Sequence, residues 1–295
     1  MTAARANAGA VLDAPPRSLR AGLSVASLVL RAFGPNRYAL ADLIGTCFYW
    51  CSPVGRRRCA ANHRRLDPSL DQREARRRAL GSFRNFARTS VDFVWQYGVS
   101  SREMDRHFRA YGLEYARQAL ASSGGGVFAL AHFGSWDVAA GCALASGLRI
   151  TTVMAPVGSD LVTSIAAWAR RRQDMEVLSS SNAARGLIRA VRRGRFAAIL
   201  SDIPERGETV AVDFCGGTVD FSTAAAWLGR VTHVPVMPVE CWRIGGLYRL
   251  VVHEPVAAAP GDSDGVVMQR VASVLERAIR RAPEWWYPFG DVYVD

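Results

Sequence analysis

From Gly112 onward the chain alternates short β-rich runs with helix-patterned stretches, and this alternation narrows its choice of fold more than any other feature. The β-rich runs are 127–131, 150–154, 196–200, 210–214, 234–242 and 248–256; helical spacing marks 138–146, 161–172, 182–193 and 222–229. Strands separated by helices can return alongside one another only through crossovers, which makes them parallel. The last two runs are joined by Gly245-Gly246, a turn that pairs them antiparallel. A closing helix over 265–281 carries Val267, Val271, Val274 and Leu275 on one face. No repeat and no Gly-, Ser- or Pro-rich linker divides the region. The expectation is an α/β fold, a single domain with a mixed, largely parallel central sheet flanked by helices.

The upstream third reads differently. Residues 1–20, with their Ala and Pro, are expected to be disordered. Residues 21–98 form a helical, membrane-associating region, and 99–295 the α/β core. The apolar stretches 22–33 and 38–51 are interrupted by Arg31 and Asp42 and fall short of the ~18 uninterrupted residues that a spanning helix needs. Segment 38–65 runs from an apolar, aromatic half with Phe48, Tyr49 and Trp50 into an arginine collar. Between positions 56 and 78 nine arginines face only Asp67, Asp71 and Glu74. An apolar face with a basic rim suits an anionic membrane surface, where aromatic insertion and charge act together. Asp67-Pro68-Ser69 and Asp71 start a helix that runs to about Tyr97, with Phe83, Phe86, Phe93, Val94 and Tyr97 as a core stripe. With no signal-peptide order at the N-terminus, the expected location is the cytoplasmic face of the cell membrane, peripheral or monotopic.

All 37 basic side chains are arginine, against 26 acids, for a net charge of +11. The absence of lysine excludes Schiff-base chemistry and a P-loop lysine, so an anionic partner must be held by guanidinium groups or backbone N–H groups. A nucleic acid is not the expected partner: no binding motif is present and the arginines adjoin apolar segments without aromatic platforms. Six cysteines sit mostly in apolar runs without C-x-x-C spacing and are expected as buried thiols, not as metal ligands.

The densest local signal is Gly124-Gly125-Gly126 opening a buried run that ends at His132, followed by Phe133-Gly134-Ser135-Trp136-Asp137. Open α/β sheets place their chemistry beyond the carboxyl ends of the strands, where His132 falls. Ser135 is a candidate N-cap, and Asp137 sits in the first turn of the next helix. The spacing His-x4-Asp lets the chain fold back so that Asp137 orients His132 as a general base. His63, His107, His233 and His253 lack such a context and are read as structural.

On these residues the chain resembles the bacterial lipid A biosynthesis lauroyl/myristoyl acyltransferase family of the lysophospholipid acyltransferase superfamily, which includes phosphatidylinositol mannoside acyltransferases. The likeness runs through Gly112-x-Glu114, the His132–Asp137 block, the helix 184–193 with Ser201-Asp202, Val212-Asp213-Phe214-Cys215-Gly216, 234–243 and Pro283-Glu284-Trp285-Trp286. Departures are Ser135 for asparagine, Ile203 after Asp202, 219–223 for a Pro-x-Gly element, and Tyr287-Pro-Phe-Gly290 for a basic terminal block. The resemblance implies acyl transfer from an acyl-carrier protein or acyl-CoA to a hydroxyl of a glycolipid or lysolipid, without metal or cofactor. His132 and Asp137 would be catalytic, and N–H groups around Gly134, Ser135 and Trp136 would hold the oxyanion. Arg172 and Arg206 would contact an anionic head group or the carrier's phosphopantetheine. The competing expectation is a non-catalytic lipid-binding or membrane-scaffolding protein of the same fold, which an intact His132/Asp137 pair disfavours.

Overall fold

The computed structural model describes residues 14–156, 158–180, 183–204 and 207–294. Helices α1 (Arg17–Ala32), α2 (Arg37–Cys51), α3 (Pro53–Leu66) and α4 (Gln72–Gln96) lead into the short α5 (Ser101–Met104). There follow β1 (Phe108–Tyr111), α6 (Leu113–Ser123), β2 (Gly126–Leu130), α7 (Trp136–Ala145), β3 (Ile150–Met154), α8 (Asp160–Arg172), β4 (Glu176–Ser179), α9 (Ala183–Arg192) and β5 (Phe196–Leu200). The chain closes with β6 (Thr209–Phe214), β7 (Gly217–Ser222), α10 (Ala224–Thr232), β8 (Val236–Ile244), β9 (Leu247–Val252) and α11 (Asp264–Arg281).

Seven strands form one sheet in the order β1-β9-β8-β2-β5-β3-β4, and β6 with β7 makes a separate antiparallel hairpin. Every pair in the large sheet is parallel except β8 with β9, joined as expected through Gly245 and Gly246, both at positive φ. The mixed, largely parallel sheet flanked by helices is therefore the architecture observed.

Alternate residues of β2 separate two cores. Val127 and Ala129 pack with α9, α10 and α11, whereas Phe128 and Leu130 pack with α6 and α7. β2 is buried along its whole length, as a strand covered on both faces must be.

The N-terminal helices are tied into this core. Asp71 caps α4 by accepting from the Glu74 N–H at 2.7 Å. Further along α4, the fully buried Asp92 accepts from the Tyr38 hydroxyl of α2 at 2.9 Å, from Arg37 Nε at 3.3 Å, and from the Tyr248 hydroxyl of β9. Burial raises the Asp92 pKa, opposed by these donors.

The stripe on α4 divides: Phe83 is fully buried, whereas Phe86, Phe93, Val94 and Tyr97 are only partly so, because polar Ser82, Asn85, Thr89, Asp92 and Gln96 occupy the inward face. Tyr49 also differs from its expected place, being buried in edge contact with Phe83, while Trp50 is 65% exposed. Cys47 and Cys51, expected inside, are exposed because α2 turns that side away from α4; the other four cysteines are buried.

Helix α1 starts at Arg17, and residues 1–13 of the stretch expected to be disordered lie outside the described residues. Exposed apolar side chains line its outer surface (Val25, Leu28, Val29) and that of α2 (Leu40, Leu43, Ile44). No helix among the described residues is long and apolar enough to cross a membrane. Part of the arginine collar is engaged by acids: Arg58 with Asp291, Arg77 with Glu74 and Glu284, and Arg78 with Asp67.

Candidate active site

Strands β2 and β5 are parallel neighbours in register, with Leu130 opposite Leu200, and the ladder continues as the Ser201 N–H donates to the Leu130 carbonyl at 2.9 Å. His132 and Asp202 each lie two residues beyond these partners. Equal offsets on adjacent parallel strands put both side chains on the same face at the same height, here the α7 face.

His132 Nδ1 lies 2.8 Å from Asp202 Oδ1. The same carboxylate accepts from the His132 backbone N–H, at 3.0 and 2.9 Å to its two oxygens. Asp202 is 6% exposed. A carboxylate accepts at Nδ1 only if that nitrogen carries the proton, which leaves Nε2 as the basic nitrogen of the neutral ring.

The expected partner, Asp137, sits elsewhere. Its two oxygens accept from Arg170 Nε at 2.6 Å and Nη2 at 3.0 Å, a bidentate pair between the first turn of α7 and the last turn of α8. Burial acts to lower the Arg170 pKa, but the Asp137 charge and hydrogen bonds outweigh it and the group ends above its ordinary value. The reversal at Gly134 accounts for the difference. With φ of +67° it swings the chain under β8, so the first turn of α7 presents Asp137 to α8 and not back to the imidazole. A Cβ at Gly134 would stand 2.0 Å from the Cys241 carbonyl oxygen, so only glycine fits this approach.

The turn is held by distant backbone. The Gly134 N–H donates to the Trp285 carbonyl at 2.8 Å, the Ser135 N–H to the Cys241 carbonyl at 2.7 Å, and the Tyr287 N–H to the His132 carbonyl at 3.3 Å. Phe133 and Trp286 form an antiparallel bridge. The N–H groups of Gly134 and Ser135, expected at an oxyanion, are thus already engaged. Those of Trp136 and Asp137, at the start of α7, have no acceptor among the described residues. Ser135 occupies the N-cap position without a side-chain cap; its hydroxyl lies 3.1 Å from Thr89 Oγ1, which also meets the Tyr287 hydroxyl at 3.0 Å. Burial raises the Tyr287 pKa, so the phenol is a neutral strut. The Trp136 ring stands edge-on to His132, centroids 5.4 Å apart.

Below this level, between the sheet and α7, lies an apolar cavity of about 20 Å³ bounded by Leu130, Trp136, Ala139, Ala140, Ala143 and Ala198. Three alanines on one helix face leave the gap that larger side chains would fill. Arg172 lies apart from it, at the end of α8, on a groove whose lining includes neither His132 nor Asp202. Arg206, with Glu205, lies outside the described residues.

Local spacing alone does not single out Asp202 as the imidazole's partner, although Ser201-Asp202 stands in one of the motif blocks. The signal was partial: the apolar runs 127–131 and 196–200 are of equal length and each is followed within two residues by a titratable group, but the equal offset emerges only from the observed register, Leu130 opposite Leu200. The C-terminal Trp285 and Tyr287, which brace the His132 turn, carried no comparable local signal.

Comparison with known proteins adds to this geometry. Over 191 residues the chain is 26% identical to the phosphatidylinositol mannoside acyltransferases of Mycobacterium tuberculosis strains CDC 1551 / Oshkosh and H37Rv. Each match covers 63% of this chain and 60% of the relative, so the similarity spans about three fifths of those proteins. The profile of the bacterial lipid A biosynthesis acyltransferases matches residues 21–290, nearly the whole of the described fold, and the chain belongs to that family.

Proposed function

We propose that this chain transfers a fatty acyl group from an acyl thioester to a hydroxyl of a lipid or glycolipid, with His132 as general base and Asp202 as the carboxylate that orients it. The 2.8 Å contact between His132 Nδ1 and the buried Asp202, in a member of an acyltransferase family, carries the reading. Nε2 of His132 takes the proton of the acceptor hydroxyl as its oxygen attacks the thioester carbonyl. The tetrahedral oxyanion then collapses, the C–S bond breaks, and the departing thiolate takes the proton back from the imidazolium. Positioned base catalysis of this kind contributes roughly 10²- to 10⁴-fold in rate.

The oxyanion is assigned to the N–H groups of Trp136 and Asp137, where the α7 dipole also favours negative charge. Asp137 is a positioning residue in this scheme: bound to Arg170, it fixes the first turn of α7. The acyl chain enters the space beneath α7, which at about 20 Å³ holds no more than a water-sized guest and must open as α7 or its neighbours shift. The acceptor is taken as a glycolipid, after the mannosides in the names of the mycobacterial relatives. The exposed apolar surfaces of α1 and α2 support attachment to the cytoplasmic face of the membrane. The test is His132→Ala, assayed for transfer of labelled acyl groups into a lipid extract. Turnover at the wild-type rate in the folded variant would end this reading.

A further inference from the structure

A second depression, separate from the His132 cavity, opens between α1, the end of α4 and α8. It is a groove of about 550 Å³ lined by Arg17, Arg20, Ser24, Tyr97, Trp168 and Arg172. Three arginines line this space, and among the described residues no carboxylate pairs with any of them. Like charges gathered without counter-charge are unfavourable unless a ligand supplies it. The Nε of Arg20 is buried without a hydrogen-bond partner, a donor short of its acceptor. The Arg20 guanidinium lies 5.8 Å over the Trp168 ring, which leans on Tyr97 at 5.2 Å. Guanidinium forks match oxyanions of phosphate type, which offer several acceptor oxygens at once.

The surroundings point to the kind of phosphate. One helical turn beyond Ser24 on the same face of α1 stands Leu28, 63% exposed, flanked by the exposed Val25 and Val29. Cationic groups at one end of a helix face, apolar side chains at the other and a Trp/Tyr pair between them match the layering of a lipid–water interface. We propose that this groove holds the phosphodiester of a membrane phospholipid head group, clamped by Arg20 and Arg172, while Val25, Leu28 and Val29 meet the acyl region. The assignment rests on the reading of the chain as an enzyme working at a bilayer surface.

The experiment compares the full chain, the double variant Arg20→Gln/Arg172→Gln, and the charge-matched double variant Arg189→Gln/Arg192→Gln on the exposed side of α9. Each is sedimented with vesicles of equimolar phosphatidylcholine and phosphatidylglycerol and titrated calorimetrically with coenzyme A. Each near-surface arginine adds about 1 kcal/mol of attraction, so the groove variant should bind the vesicles roughly 30-fold more weakly. The α9 variant should lose less than about threefold, because unclamped charge acts only through a screened field. Coenzyme A binding should be the same in all three. Equal losses in both double variants would reduce the effect to bulk charge and overturn the site. Loss of coenzyme A binding in the groove variant, with vesicle binding intact, would reassign the groove to the thioester donor. His132→Ala should bind vesicles like the wild type. A chain that binds vesicles through Arg20 and Arg172 yet transfers no acyl group would sink the enzymatic reading and leave the groove standing.

Discussion

Replacing Asp202 by asparagine tests the centre of the mechanism, because it keeps the shape of the side chain and removes its charge. In the wild type one carboxylate accepts from both Nδ1 and the backbone N–H of His132. An amide offers one acceptor oxygen for the two donors and turns an NH₂ group toward one of them. If that NH₂ faces Nδ1 it donates there, the ring proton moves to Nε2, and the base is lost. If the oxygen faces Nδ1 instead, the hydrogen bond falls from the charged class, about 1.5–3 kcal/mol, to about 1 kcal/mol. The imidazolium formed during turnover also loses an attraction of about 4 kcal/mol for unit charges 4 Å apart at an effective dielectric of 20. Together these remove about 3–5 kcal/mol from transition-state stabilisation, or roughly 10²- to 10⁴-fold in kcat. The assay is steady-state transfer of a labelled acyl group, with KM for the donor expected to stay within about threefold, since Asp202 touches no substrate in this scheme. A folded Asp202→Asn enzyme whose kcat stays within about threefold of wild type would refute the reasoning and leave Asp202 as a brace for the His132 backbone.

Asp137→Asn should act on stability first, costing about 3 kcal/mol in chemical denaturation because it leaves Arg170 unpaired in a mostly buried site; an unchanged midpoint would deny the pair its structural role. His63, fully buried on α3 against Ser82, has its pKa pushed down to about 4 from 6.5 by burial and then by Arg78. The unfolded chain therefore binds a proton that the folded one refuses: stability is complete above pH 6.5 and is lost as the pH falls toward 4, by roughly 2 kcal/mol at pH 5. His63→Gln should flatten that part of the wild-type profile, and a variant with the same slope would assign it to other groups. Leu43→Ser/Trp50→Ser should weaken vesicle binding that survives high salt while sparing the salt-sensitive part; equal binding by variant and wild type would remove α2 from the membrane contact. Acyl-carrier protein should be preferred over coenzyme A as donor, with an advantage that shrinks as salt rises, because an acidic carrier is steered by the arginine-rich surface. A coenzyme A preference at low salt would refute this.

What the sequence revealed followed burial. The run 196–200 coincides with β5, an internal strand where an apolar stretch is buried, and 150–154 coincides with β3, also internal, marked by its β-branched Ile150, Thr151, Thr152 and Val153. β1 and β4 escaped because they are the four-residue edges of the sheet, where Arg109 and Glu176 can face solvent and no apolar run forms. His132 was legible for a related reason, standing at the end of the most buried strand. Its partner was misassigned because closeness in sequence favoured Asp137 across the turn, whereas parallel register favoured Asp202, seventy residues away. Tyr49 was misplaced for want of a helical phase: the aromatic run 48–50 offers three directions, and only packing against Phe83 decides which points inward.

The His132 turn is latched by the Trp285 carbonyl, the Phe133–Trp286 bridge and the Tyr287 N–H. During synthesis both His132 and Asp202 leave the ribosome well before these residues, so the imidazole and its carboxylate can meet while the loop that carries them is still unfastened. In the proposed scheme the pair is therefore assembled by two parallel strands and fastened by a later segment of the chain, so a nascent chain held short of Trp285 should bind vesicles while its acyl transfer falls.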